Sequence, residues 1–317
     1  MVYDLKESFN FSNEDVEYTD FCYLSEVTSA KKHLELSGHT VELIGSSKVL
    51  AQNIFEIKNK FQLIYNLAEG FKSRNREGLV PAICELYQIP YTGTDAFGLS
   101  LSLHKFQTKL FVSSLGVPVP SGYLFNKMSV NHRQLTYPVV AKPDHEGSSM
   151  GLQICQNNDE LMTYYHDFGM KYKQDILIEE YIYGSELSVC ILGSGSDAYV
   201  FCVVQYLDDE GKDIVLLTNE IKKKERYNLI VPRFPETVLE VVKEFSLTIH
   251  RAMELRDISR MDWRVDVNGT PYFLETTPLP VLCDQTEFEW GCSQRGIPFQ
   301  FVYQSIIKSA LQRYNLS

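Results

Sequence analysis

The sequence predicts an α/β fold, and three observations carry that prediction. Strand-like and helix-like segments alternate through roughly the first 95 residues, the pattern of a small doubly wound parallel domain. A short apolar run at Val139, Val140 and Ala141 reads as a buried strand; it ends in Lys142 and runs into the loop Glu146-Gly147-Ser148-Ser149-Met150-Gly151. Late in the chain, strand-like residues 259–267 and 272–275 flank Asn268-Gly269, a strong hairpin turn.

Taken in order, residues 2–5 read as a first strand and the polar, acidic 9–18 as a surface loop. Residues 25–37 place Val27, Ala30 and Leu34 at helical spacing. Ser25 is the expected N-cap, Glu26 suits the first turn, and Gly38 suits the C-cap. Residues 40–44 and 62–67 follow as strands, and 47–58 and 76–88 as helices. One helix is expected over 99–115, with Lys105 and Lys109 four apart and so on one face. Gly116-Val117-Pro118-Val119-Pro120 ends it. The remainder reads as a strand at 123–126, a helix at 159–172 and an apolar–acidic–apolar segment at 176–182. Alternating strands follow at 184–189 and 199–206, then a turn at 208–213 and a lysine-rich run at 220–227. Helices are expected at 236–253 and 299–314.

A chain of 317 residues suggests two or three domains around a shared core. A net charge of −11 argues against general nucleic-acid binding, though not against nucleotides, which need only a local lysine cluster. No apolar run is long enough to span a membrane, and the first residues lack a signal-peptide pattern, so a cytoplasmic location is expected. Seven cysteines without a CxxC pair fit reduced thiols, not a disulfide framework or a zinc site.

Lys142 on a firm strand beside a glycine- and serine-bearing loop suits phosphate oxygens, although a strand, a turn and a solvated lysine would look the same. Asp262 and Glu275 fall on the two hairpin strands, so both carboxylates can enter one cleft, an arrangement that suits Mg²⁺. Lys222, Lys223 and Lys224 read most simply as a solvated patch. His104, His145 and His250 show no metal-ligand spacing, and core or surface roles are expected. No Ser-His-Asp or Cys-His constellation is defensible from spacing, and the Walker pattern is absent.

The order of the motifs carries more than any one of them. Glu77-Gly78, Ile89-Pro90-Tyr91-Thr92-Gly93, Lys105 with Lys109, Val140-Ala141-Lys142-Pro143 and Glu146 to Gly151 are followed by Ile178-Glu179-Glu180-Tyr181, Gly184-Ser185-Glu186-Leu187, Arg260-Met261-Asp262 and Leu274-Glu275-Thr276-Thr277. In that order the chain resembles the ATP-grasp superfamily, and within it the D-alanine–D-alanine ligases, over nearly its whole length. The resemblance implies an N-terminal domain at 1–98, a central one at 99–184 and a C-terminal one at 185–317, the last two holding ATP between antiparallel sheets. It implies that Lys105 and Lys142 meet the α- and β-phosphates, and that Glu146, Ser148, Ser149 and Met150 belong to the covering loop, with Ser149 also counted as catalytic. Glu179 would belong to the nucleotide site, the backbone of Glu180, Tyr181 and Ile182 would read the adenine edge, and Glu186 would bind the ribose. Asp262, Glu275 and Thr277 would hold two Mg²⁺ ions, with Mn²⁺ as a substitute. Arg260 would stabilise the oxyanion, and one lysine of 222–224, taken as Lys222, would meet the γ-phosphate. The implied reaction forms an amide from amino-acid or peptide substrates through an acyl phosphate, in a family where homodimers are usual.

The departures from the family pattern surround the amino-acid sites. Thr277 stands where an asparagine is usual, Val281 replaces a glycine, Glu69 replaces a histidine, and His104 replaces an aspartate. Glu26 matches a glutamate that binds the first substrate's ammonium, or is an ordinary helix-start residue; Thr286 matches a serine that binds the second substrate's carboxylate. The leading expectation is a divergent ATP-dependent carboxylate–amine ligase. A true D-alanine–D-alanine ligase and a non-catalytic nucleotide-binding regulator are the alternatives.

Overall fold

The computed structural model describes residues 1–5, 21–70, 73–125, 136–169, 174–224 and 226–316. The expected 9–18 loop lies outside them, as do the ends of the strand expected to 126 and the helix expected to 172.

Strands β1 (Val2–Tyr3) and β2 (Asn66–Leu67) pair in parallel. Parallel bridges Val2 to Gly45, Leu5 to Cys22 and Ile64 to Tyr91 extend that arrangement, and helices Leu24–Leu36, Ser47–Gln52, Ile54–Lys60 and Leu79–Tyr87 alternate with it. The first helix is capped by Tyr23, not Ser25, because the chain is already helical at Leu24. The strand expected at 40–44 shrinks to the Gly45 bridge. It flanks a two-residue strand, so its ladder is short: Ile44 N–H reaches Met1 O and Gly45 O accepts from Tyr3 N–H, each at 2.9 Å, and Glu42 O accepts from the Met1 amino group at 2.6 Å. The helix expected at 47–58 breaks at Asn53.

The helix expected over 99–115 is two helices, Ala96–Leu103 and Lys105–Ser114. His104 leaves helical geometry (ψ 87°). Tertiary bonds hold it there: its ring Nε2 lies 3.0 Å from Arg74 O, and the next N–H, of Lys105, reaches Asp144 O at 3.2 Å. The break makes Lys105 the first residue of a new helix.

Strands β3 (Gly122–Phe125), β4 (Val139–Pro143), β5 (Gln153–Cys155) and β6 (Ile176–Glu180) form an antiparallel sheet in the order β3-β6-β4-β5. β4 is buried throughout, as its apolar run demands, and carries Lys142 into the interior. Strands β7 (Gly184–Leu192), β8 (Tyr199–Leu207), β9 (Asn228–Ile230), β10 (Ile258–Asp266) and β11 (Pro271–Thr277) form a second antiparallel sheet, β11-β10-β7-β8-β9. The chain crosses between sheets at Gly184, where a Cβ would sit 1.9 Å from Val265 O. Helix Glu236–Ala252 lays Val242 and Ile249 on this sheet, and Trp263 packs beneath it with its indole N–H on Ser246 Oγ at 2.9 Å.

Helix Glu287–Arg295 has no counterpart in the sequence expectations. The closing helix, Gln300–Arg313, joins Val302, Tyr303 and Ile306 to a cluster holding Met1, Val27 and Leu34 from the start of the chain. Asp257 ties the same regions together: it accepts from Gly93 N–H at 2.7 Å, Ser194 Oγ at 3.1 Å and the Arg313 guanidinium at 2.5 Å. No described helix is long and apolar enough to cross a membrane.

Candidate active site

A cavity of about 780 Å³ opens between the two antiparallel sheets. β4 supplies Lys142, the end of β6 and the residues after it supply Glu179, Glu180, Tyr181 and Ile182, and β7 supplies Glu186. Asp262 comes from β10, Glu275 from β11, Lys105 from a helix start, Lys222 from the short helix Asn219–Lys223, and Glu146, Ser149 and Met150 from the loop after β4. A second cavity of about 1150 Å³ adjoins the first through Lys105, Lys222 and Glu275. It is lined by Ser148, Arg260, Thr277, Thr286 and Glu69. A third, about 370 Å³, holds Glu26 and shares Glu69 and Val281 with the second. All the residues the sequence singled out for ligand binding line one of these three spaces, with Ser148 on the second and not the first. Ser148 and Ser149 both take left-handed backbone (φ 52° and 55°), which turns this loop sharply beside Lys105.

The hairpin register sets Asp262 directly opposite Glu275, on one face of the sheet. Asp262 accepts from Arg260 at 2.9 and 2.8 Å and from Ser188 Oγ at 2.5 Å. Burial pushes the Glu275 carboxyl up, but Lys105, Lys142, Lys222 and Arg260 outweigh it and hold it at about 2. These two carboxylates, with Thr277 two residues beyond Glu275 on the same strand, make an all-oxygen donor set, which fits a hard divalent cation such as Mg²⁺.

The two helix lysines part company. Lys105 reaches Glu275 at 3.5 Å and Glu146 O at 2.6 Å, at the junction of the two large cavities. Lys109 is buried against Glu179 at 2.7 Å, and burial lowers it to about 8 although Glu179 pulls the other way. Glu179 also meets Lys142 at 2.8 Å, so one buried carboxylate serves two lysines. Of the lysine run, Lys222 lines both large cavities, whereas Lys224 is exposed and paired with Glu220.

Sequence reasoning passed over several partners. Arg264 is buried, faces Glu186 at 3.3 Å and holds the Tyr181 hydroxyl at 3.1 Å, bracing the segment after β6. Its signal was its place two residues beyond Asp262, hence on the same strand face. Glu287 lies 3.3 Å from Arg260 and accepts from the Tyr206 hydroxyl; it sits on the unexpected helix and had no signal. Behind the loop, His104, Asp144 and His145 come together, which their sequence spacing did not announce. Burial lowers His104, and lowers His145 to about 3. His250 is a core residue, bonded to Ser259 and Gly193 O.

A family model described as the D-ala D-ala ligase C-terminus matches residues 112–308. The uncharacterized protein y4sG of Sinorhizobium fredii is 31% identical over 260 residues, covering 80% of this chain and 75% of its own length. The D-alanine–D-alanine ligase of Aquifex aeolicus is 28% identical over 279 residues, covering 87% and 91%. Among solved structures, the D-alanine–D-alanine ligase of Bacillus anthracis complexed with ATP superimposes with a TM-score of 0.74 at 17% identity, over 99% of this chain and 96% of that one. The VanG D-Ala:D-Ser ligase of Enterococcus faecalis gives 0.74 at 19%, over 98% of each. The chain belongs to the D-alanine–D-alanine ligase family of ATP-grasp enzymes, which use ATP and a divalent metal to form a C–N bond between a carboxylate and an amine. The α/β ATP-grasp fold expected from the motif order is borne out.

Proposed function

We propose that this chain activates the carboxylate of a small amino acid or peptide as an acyl phosphate and transfers the acyl group to a second substrate's amine, releasing ADP and phosphate. The observation that carries this reading is the shared wall: Lys105, Lys222 and Glu275 belong both to the cavity suited to a nucleotide and to the adjoining one that holds Arg260. A γ-phosphate extending from the first cavity reaches a carboxylate in the second only there.

In this reading, the substrate carboxylate attacks the γ-phosphorus while Lys105, Lys142 and Lys222 neutralise the phosphate oxygens. The amine then attacks the acyl carbon, and Arg260 stabilises the tetrahedral oxyanion. Ser148, Ser149 and Met150 cover the site and keep water from the acyl phosphate. Glu180, Tyr181 and Ile182 face the adenine, and Glu186 the ribose. Asp262, Glu275 and Thr277 would hold two Mg²⁺ ions, or Mn²⁺ in their place; such ions neutralise charge on the transferring phosphoryl group. Glu26, Glu69 and Thr286 face the amino-acid substrates. Of the division into 1–98, 99–184 and 185–317, the second boundary is supported by the change of sheet between β6 and β7, which begins at Gly184, whereas helix Ala96–Leu103 runs across the first.

Glu69, Thr277 and Val281 favour substrates other than two D-alanines. The test is ADP and phosphate release against D-alanine, D-serine, L-amino acids and dipeptides, with the product identified by mass spectrometry. D-alanyl-D-alanine as the main product would establish the family's named reaction instead. ATP binding that no carboxylate–amine pair converts into ADP release would make the chain a nucleotide-binding regulator.

A further inference from the structure

We propose that His104, Asp144 and His145 form a binding site for one transition-metal ion of the Zn²⁺ type, separate from the Asp262–Glu275 carboxylates. The ligand atoms of the three side chains lie within 4.8 Å of one another. His145 Nε2 is 2.7 Å from His104 Nδ1 and 3.2 Å from Asp144 Oδ2. In a tetrahedral zinc site with bonds of about 2.0–2.1 Å, ligand atoms stand roughly 3.3 Å apart. The His145–Asp144 pair already has that spacing, and the two imidazoles would part by about 0.6 Å to admit the ion.

Three features point to a ligand that the protein does not itself supply. His104 Nε2 lies 3.0 Å from Arg74 O. A carbonyl only accepts, so Nε2 carries the hydrogen and Nδ1 presents a bare lone pair to the cluster. This is the outer-shell support that metal-bound histidines use. Asp144 is 1% exposed; its Oδ1 takes the Phe106 N–H at 2.8 Å, while its Oδ2 has no hydrogen-bond partner. Finally, a neutral His145 presents a single Nε2–H to two acceptors, His104 Nδ1 and Asp144 Oδ2, and one of them is always left bare. A cation coordinates all three atoms at once. The printed contacts of the nearby positive side chains are with other acceptors: Arg76 donates to His145 O at 2.9 Å and faces Glu146 at 3.7 Å, and Lys105 faces Glu275 at 3.5 Å. His145 is about a quarter exposed (24%), which gives an ion its way in.

The ion would fasten the start of the Lys105–Ser114 helix to the loop that carries Glu146, an attachment now made by Lys105 N–H to Asp144 O at 3.2 Å and Lys105 Nζ to Glu146 O at 2.6 Å. The nitrogen ligands select borderline metals, whereas the oxygen set at Asp262 and Glu275 selects Mg²⁺. The proposal stands whether or not the chain proves to be a ligase.

The test is Zn²⁺ titration of the chelator-stripped full-length protein against a competing chromophoric chelator. One tight equivalent is expected, weakened at least 100-fold in His104→Gln and His145→Gln and changed less than threefold in Glu275→Gln. Because a histidine variant can misfold, Co²⁺-loaded wild-type protein supplies a second reading by proton NMR. A hyperfine-shifted imidazole N–H that vanishes in D₂O is expected from His104 Nε2–H. No tight equivalent, binding lost in Glu275→Gln but kept in His145→Gln, or no exchangeable shifted resonance would each overturn the site.

Discussion

Lys105 and Lys109 stand on one face of one helix, yet their surroundings give them different chemistry. Lys109 is sealed behind Glu179, and Lys105 opens onto both large cavities. Spacing alone put both on one face; it could not rank them, because the counter-ion arrives from β6, some 70 residues away in sequence. Replacing Glu179 by glutamine leaves two buried lysines facing a neutral amide, which should cost about 3–5 kcal/mol in urea unfolding. Glu275→Gln is expected to lower kcat at least 100-fold, read as ADP release. That variant also tests the charge balance. Glu275 ordinarily titrates near 4.5 and is held at about 2 in the fold, so its contribution is complete above 4.5 and disappears as pH falls through 2. Glu275→Gln should therefore lose less stability than the parent between those two pH values. Lys142→Ala should raise the apparent KM for ATP several-fold; an unchanged value would mark it as structural, a partner to Glu179 only.

Among the elements, those fixed by local pattern were legible. The alternation at 184–189 and 199–206 identified β7 and β8, and Asn268-Gly269 identified the β10–β11 hairpin that sets Asp262 opposite Glu275. Elements decided by distant partners were not. The break at His104 depends on Arg74 and Asp144, and helix Glu287–Arg295 leans on Phe201 of β8 through Phe288. Gly184 illustrates the same limit, since its need for a bare backbone comes from Val265 across the sheet. Gly184→Ala should force β7 and β10 apart at their first pair, lowering the thermal midpoint and speeding amide exchange along β10 more than along β4.

For the molecule as a whole, the motifs named residues that line these cavities but not the cavities' plan: two large ones joined at Lys105, Lys222 and Glu275, with a small one beside them. A ligand held between two sheets belongs to the folded state alone. ATP with Mg²⁺ at 100 times its Kd should thus stabilise the protein by about 2.7 kcal/mol, seen as a concentration-dependent rise in Tm. The same integration has a bearing on synthesis. Met1, Val27 and Leu34 are roofed by Val302, Tyr303 and Ile306. During synthesis this cluster therefore cannot close until residues 302–306 have been made, and until then Met1, Val27 and Leu34 lack that cover.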